Sequence, residues 1–170
     1  MPHHLSRAAL DTDRSTLAAL NTEYLGWVLD QLGTPPEQAL GEPLATHVAH
    51  SLDSLCGVLP PQGGFHLLWV DGEVAGMGGW RHLGQGVAEL KRIYLRPGFQ
   101  GRGLARPLVE HLLAEARAAG HRHACLDSAP FMAAAHRCYA ALGFVDRAPY
   151  PGTDAPAEFH DRWRFMARDL

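Results

Sequence analysis

The chain has 170 residues, enough for one domain, and its 46% hydrophobic and 19% charged residues exclude global disorder. A formal net charge of −3 excludes a strongly basic nucleic-acid binder. No apolar run approaches the roughly 18 residues of a membrane span.

In chain order, a first strand is expected near 5–8. Leu17, Leu20, Tyr24, Val28 and Leu32 recur three or four apart, which predicts a helix over 13–32. A shorter helix is expected over 46–55. The period then changes. Residues 65–70 read as a strand, Asp71-Gly72 as a two-residue hairpin turn, and 73–80 as the returning strand. A turn at 83–86 leads to a further strand over 87–95. A glycine-rich turn, Gln100-Gly101-Arg102-Gly103-Leu104-Ala105, follows that strand. It opens an amphipathic helix with Leu108, Leu112 and Ala116 on one stripe, closing at Gly120. A fifth strand is entered near 121–125, and a last helix is expected over 131–142. Gly and Pro cluster at 32–43, 60–64 and 149–156, which read as loops.

Charge is uneven along this order. Residues 1–60 hold seven acids and two bases, a net of −5, whereas 86–107 hold five bases (Lys91, Arg92, Arg96, Arg102, Arg106) and one acid, Glu89, a net of +4. The basic stretch surrounds the glycine-rich turn. Glycines let a backbone approach a ligand closely, and the free N–H groups and dipole of a helix start favour an anion. A phosphate or pyrophosphate therefore suits this turn. It lacks the Lys-Ser/Thr of a nucleoside-triphosphate loop.

Three cysteines, Cys56, Cys125 and Cys138, are too few and too irregular for a disulfide scaffold, so a reducing cytoplasm is expected. The N-terminus lacks the charged start and apolar centre of a signal peptide. His121, His123 and Cys125 alternate and would share one strand face, but no C-x-x-C accompanies them, and no metal is expected.

Two motifs in order carry a resemblance. The stretch Glu89-Leu90-Lys91-Arg92-Ile93-Tyr94-Leu95-Arg96-Pro97 precedes Gln100, Gly103 and Ala105, which match Q/R-x-x-G-x-G/A. Downstream, Ala135, Tyr139, Gly143 and Phe144 match A-x-x-x-Y-x-x-x-G-F. Together they resemble the GCN5-related N-acetyltransferase (GNAT) family. The run Leu126-Asp127-Ser128-Ala129-Pro130-Phe131-Met132 is similar to a bacterial subgroup reading L-D-T-x-P-x-M. The resemblance covers about 65–145 and, more loosely, the N-terminal helices.

What the resemblance implies is specific. One domain over 1–170 would take the α/β acyl-CoA N-acyltransferase fold, a mixed, mostly antiparallel sheet flanked by helices. Its fourth and fifth strands would splay apart around acetyl-coenzyme A. Pantetheine would run along Ile93, Tyr94 and Leu95, and the pyrophosphate would sit on Gln100, Gly101, Arg102, Gly103, Leu104 and Ala105, with Arg106, Arg102 and Arg96 near the phosphates. Glu89 would be the general base and Tyr139 the acid that serves the leaving thiolate. His82 and His136 are rival bases by intrinsic pKa alone. Met132 stands where the family often has Asn. The function implied is acetyl transfer to a primary amine of a small molecule or peptide; the alternative is a non-catalytic coenzyme A sensor of the same fold. No nucleic-acid or membrane partner is expected, and a homodimer is an open alternative to a monomer. The N-terminal helices would border the acceptor channel, so their acidic balance predicts a cationic amine.

Overall fold

The computed structural model describes residues 2–170. Strand β1 (His3–Arg7) leads into α1 (Leu10–Leu32), α2 (Pro36–Leu40) and α3 (Leu44–Ser51). The chain then runs through β2 (Gly63–Val70), β3 (Glu73–Gly84) and β4 (Val87–Leu95) to α4 (Ala105–Ala118). It ends with β5 (His123–Ser128), α5 (Ala133–Ala141), β6 (Val145–Arg147) and β7 (Arg164–Asp169). Among the described residues these strands form one sheet in the order β1-β2-β3-β4-β5-β7-β6. Only the β4–β5 pair is parallel.

Local chemistry explains most boundaries. Asp71 and Gly72 both have positive φ, 50° and 81°, as a tight hairpin between twisted strands requires. Gln85 and Gly86, at 52° and 75°, turn β3 into β4 in the same way. Helix α1 stops at Gly33, whose φ of 63° lets its N–H cap Asp30 and Leu29 carbonyls. The first strand lies at 3–7 rather than 5–8, because its pairing with β2 begins at His3↔Val70. The expected helix over 46–55 divides: α3 ends at Ser51, and a wider-wound turn, Leu52–Cys56, carries Leu52, Leu55 and Cys56 into the core.

Two layers cover the sheet. One face packs on α4 and α5 through Trp80, Leu90, Leu108, Leu112, Leu126, Tyr139, Phe144 and Met166. The opposite face is divided. Helices α1 and α3 cover one half through Leu17, Leu20, Val48, Phe65, Leu67, Met77 and Tyr94. The segment after β6 covers the other half, where Tyr150 packs on Cys125 and Phe165.

Candidate active site

Strands β4 and β5 pair only at Val87↔His123, Ala88↔Ala124 and Glu89↔Cys125. Beyond Glu89 they part, leaving one backbone edge of β4 unpaired by β5 over Ile93, Tyr94 and Leu95. On its other edge β4 stays bonded to β3, with Met77↔Tyr94 and Gly76↔Leu95. The register slips between Met77 and Gly79, so β4 holds one extra residue there. Arg92 occupies that bulge with φ of 55°. A long side chain in this left-handed region costs about 1–2 kcal/mol. Around the bulge, Glu89 and Tyr94 point to the helix α1 face, while Leu90 and Ile93 pack on the α4 face.

The glycine-rich turn lies at the open end of β4. Gly101 and Gly103 have φ of 72° and 77°, and among the described residues no atom beyond their immediate chain neighbours lies within 4 Å of where a Cβ would stand on either. Gly101, Arg102 and Gly103 are exposed, and Leu104 is buried as an anchor. Helix α4 has no side-chain cap from Leu104, so its N-cap residue leaves the first-turn N–H groups to other partners. An exposed, uncapped helix start behind two open glycines fits a pyrophosphate. Gln100 contributes differently: its side-chain amide donates to the Leu95 carbonyl at 2.8 Å, and its backbone N–H donates to Pro97 at 3.3 Å. It braces the turn against β4. Arg102 lies over the Phe99 ring at 5.5 Å, and Arg106 pairs with Glu110 one helical turn on. Arg96 instead turns to α1, where it grips Glu23 with two hydrogen bonds of 2.8 and 3.0 Å.

Glu89 has no solvent exposure. Arg81 Nε donates to its Oε2 at 2.5 Å, the Tyr150 hydroxyl donates to its Oε1 at 2.9 Å, and Lys91 Nζ lies 4.0 Å away. Burial raises its pKa, against the lowering pull of Lys91 and Arg81. Tyr150 also lies 3.4 Å from Asp127 Oδ2 on β5, so its hydroxyl spans the mouth of the opening. Asp127 takes two further donors, Thr153 Oγ1 at 2.8 Å and Trp163 Nε1 at 3.1 Å. Lys91 and Arg81 both reach Asp154, at 2.6 and 3.3 Å. The loop 150–154 is thus tied to β3, β4 and β5 at once.

Tyr139 is buried on α5, its ring edge-on to Phe144 at 5.9 Å. Burial is the main cause that pushes its pKa upward, and the nearby negative charge of Asp127 adds to that. The phenol is therefore protonated at neutral pH and can donate. It packs in one core cluster with Leu90 of β4 and Leu126 of β5, the two strands that part. Trp27 and Phe131 meet edge to face at 5.4 Å and join α1 to the turn before α5.

The other candidates have separate partners. His82 Nδ1 faces His121 Nε2 at 2.9 Å, and His136 Nε2 faces Ser128 Oγ at 2.9 Å. His121 precedes β5 and also bonds the Ala116 carbonyl, while His123 pairs with Asp169. Among the described residues, the side chains that could jointly hold a metal ion are instead His66, His111 and Glu115, with candidate atoms within 4.8 Å of one another. Both Glu115 oxygens already accept donors, from Arg7 and from Trp80 Nε1. The i, i+4 spacing of His111 and Glu115 was the only sequence signal for that cluster. Arg81, Tyr150 and Asp127 were also missed as site residues. Tyr150 lies 61 positions from Glu89, with no spacing rule linking them.

Comparisons with known proteins agree with this geometry. Among curated proteins, an uncharacterized N-acetyltransferase of Escherichia coli K12, YjgM, is 34% identical over 100 residues, 55% of this chain and 59% of that protein. An IAA acetyltransferase of Azospirillum brasilense is 35% identical over 65 residues, 38% of this chain and 42% of that protein. The matches therefore span about half the length of these relatives. Among solved structures, an acetyltransferase of Streptococcus agalactiae 2603 superposes with a TM-score of 0.70 at 18% identity, covering 99% of this chain and 98% of the other. PaiA N-acetyltransferase of Thermoplasma acidophilum, in complex with coenzyme A, gives 0.69 at 16% identity and covers both chains fully. N-acetylglutamate synthase of Neisseria gonorrhoeae, complexed with coenzyme A and N-acetyl-glutamate, gives 0.71 at 18% identity over 100% of this chain and 35% of the other. The model of the acetyltransferase (GNAT) family matches residues 14–144, which include the parted strands, the glycine turn and Tyr139, and the chain belongs to that family.

Proposed function

We propose that the protein transfers an acetyl group from acetyl-coenzyme A to a primary amine of a small molecule or peptide by direct attack. The parting of β4 from β5 beyond Glu89, with the exposed glycine turn at its end, is the observation that carries this reading. Two superposable family members were crystallised with coenzyme A, which supports the same ligand here. Acetyl-coenzyme A supplies the activated thioester. Ile93, Tyr94 and Leu95 offer backbone groups to its pantetheine, and the turn from Gln100 to Ala105 receives its pyrophosphate, with Arg102 and Arg106 nearby.

Glu89 is the proton sink. The acceptor amine must lose a proton to attack, and a buried carboxylate of raised pKa is closer in basicity to its task than an exposed one. Because Glu89 is fully enclosed, the proton travels through a bonded partner. The Tyr150 hydroxyl takes the ammonium proton while giving its own to Glu89 Oε1, so its charge is unchanged. Arg81 holds the carboxylate in place. Tyr139 donates a hydrogen bond to the sulfur as the thiolate departs. The three free cysteines suit a reducing compartment.

Thiol release from acetyl-coenzyme A, followed with a panel of primary amines and checked by mass for an acetylated product, tests this reading. We expect amine-dependent release and a product heavier by one acetyl group. Tight coenzyme binding with no amine-dependent release would make the protein a sensor instead.

A further inference from the structure

We propose that the Arg92 guanidinium is an anion subsite beside Glu89, and that the acceptor amine therefore carries a carboxylate. This rests on the acetyl-transfer reading and names the acceptor class within it.

Arg92 is the extra residue of the β4 bulge. A regular strand would alternate its side chain to the α4 face, after Lys91. The bulge, with its positive φ, turns it instead to the face of α1, where Nη1 donates to Asn21 Oδ1 at 2.8 Å. Asn21 is itself fully buried. A neutral amide oxygen is thus the bonded partner of a half-buried cation. Among the described residues no carboxylate lies within ion-pair distance of Arg92, whereas Arg81 on β3, Lys91 on β4 and Arg96 just after β4 each have one. Asp154, the carboxylate whose charge acts on Arg92, is already held by Lys91 and Arg81; a desolvated charge without a directly paired counter-charge is costly, and a strained backbone adds to that cost. Both costs are accounted for if the counter-charge arrives with the substrate.

Position makes that substrate the acceptor. Arg92 lies three residues beyond Glu89 on β4 and meets α1 at Asn21, one turn before Tyr24, whose ring packs on Tyr94 of β4 at 5.8 Å. An amine presented to Tyr150 and Glu89 would bring a nearby carboxylate within reach of this guanidinium, which has N–H groups beyond the one used by Asn21. Four of the seven acids of the first 60 residues are already engaged elsewhere. Glu23 is gripped by Arg96, Asp53 by Arg14, and Glu42 by His47 and His50, while Asp13 caps the Ala9 N–H. The expected preference for a cationic acceptor therefore gives way to one for an acceptor bearing an anion.

The test compares amines that differ only by a carboxylate: L-phenylalanine against 2-phenylethylamine, L-methionine against 3-(methylthio)propylamine, and 4-aminobutyrate against butylamine. 1,4-Diaminobutane serves as the cationic probe. For the best pair, kcat/KM should favour the carboxylate-bearing member by on the order of tenfold to hundredfold, as a charge-assisted bond allows. That preference should fall towards one in Arg92→Gln, mainly through KM, and be partly kept in Arg92→Lys. Equal rates within every pair, or preference for 1,4-diaminobutane, would overturn the proposal from wild-type data alone, whether or not the variants fold. If no amine is turned over while acetyl-coenzyme A binds, calorimetry of the carboxylate-bearing amines into the coenzyme A complex decides. Binding lost in Arg92→Gln upholds the subsite, and no binding overturns it. Failure to bind acetyl-coenzyme A at all would instead defeat the acetyl-transfer reading.

Discussion

At the scale of single residues, burial sets the behaviour of the ionisable groups. His66 on β2 is 3% exposed, and its pKa is held down at about 4 from the usual 6.5. Burial is the main cause. The neighbouring His111 and Arg7 lower it further, against the opposite pull of Glu115. Its Nδ1 has no hydrogen-bond partner among the described residues. The unfolded chain therefore binds a proton at a pH where the folded chain does not. The stability this confers is present in full above pH 6.5 and is lost as pH falls towards 4. By pH 5 the loss amounts to about 2 kcal/mol relative to pH 7.5, because a tenfold difference in proton affinity between the folded and unfolded chain is worth about 1.4 kcal/mol. Urea melts of wild type and His66→Gln at both pH values measure it. The wild type should lose about 2 kcal/mol more than the variant on acidification. Parallel losses would show that His66 does not titrate differently in the folded state.

At the scale of elements, the glycine turn and the β4 bulge do different work. The turn needs backbone freedom. Gly103, at φ 77°, stands in open space, so a side chain there meets no neighbour but strains the backbone and screens the helix start. Gly103→Val should weaken acetyl-coenzyme A binding by at least tenfold, since a local lost contact or strain of about 1.4 kcal/mol already has that effect. The fold should be retained, because Leu104 and Leu108 keep α4 anchored. Calorimetry together with a thermal melt separates the two effects. Near-native affinity would remove this turn from the binding site. The bulge, by contrast, needs a register slip, and it is why Glu89–Leu95 shows no clean alternation in sequence.

At the scale of the molecule, local signals were legible and long-range ones were not. Asp71-Gly72 announced the β2–β3 hairpin because turn geometry selects residues directly. The stripe of Leu108, Leu112 and Ala116 announced α4 for the same kind of local reason. The glycine turn and Tyr139 were singled out through motifs, since backbone freedom and a buried phenol restrict residue choice at fixed spacing. The enclosure of Glu89 was hidden. Arg81 reaches it across a strand pair, and Tyr150 reaches it from a loop that reads as Gly/Pro-rich punctuation. Arg92 stood in the sequence as one of five clustered bases, and only Arg96, Arg102 and Arg106 were assigned to the phosphates. Only the bulge turns it away from the turn towards α1, while Arg96 is drawn to Glu23. Among the described residues no helix is long and apolar enough to cross a membrane.

The central claim is that amine attack at the parted strands depends on the buried carboxylate of Glu89. Glu89→Gln keeps the shape and removes the proposed base. Measured as turnover at pH 7 and at pH 9, alongside acetyl-coenzyme A affinity, the variant should lose roughly a hundredfold or more in rate at pH 7, within the usual range for general base catalysis. Affinity should change little, because Glu89 lies at the paired end of β4, away from the glycine turn. The wild-type rate should rise with pH through the raised Glu89 pKa, and the deficit of the variant should shrink at pH 9, where more of the amine is already neutral. Full turnover by Glu89→Gln at pH 7 with an unchanged pH profile would contradict the account.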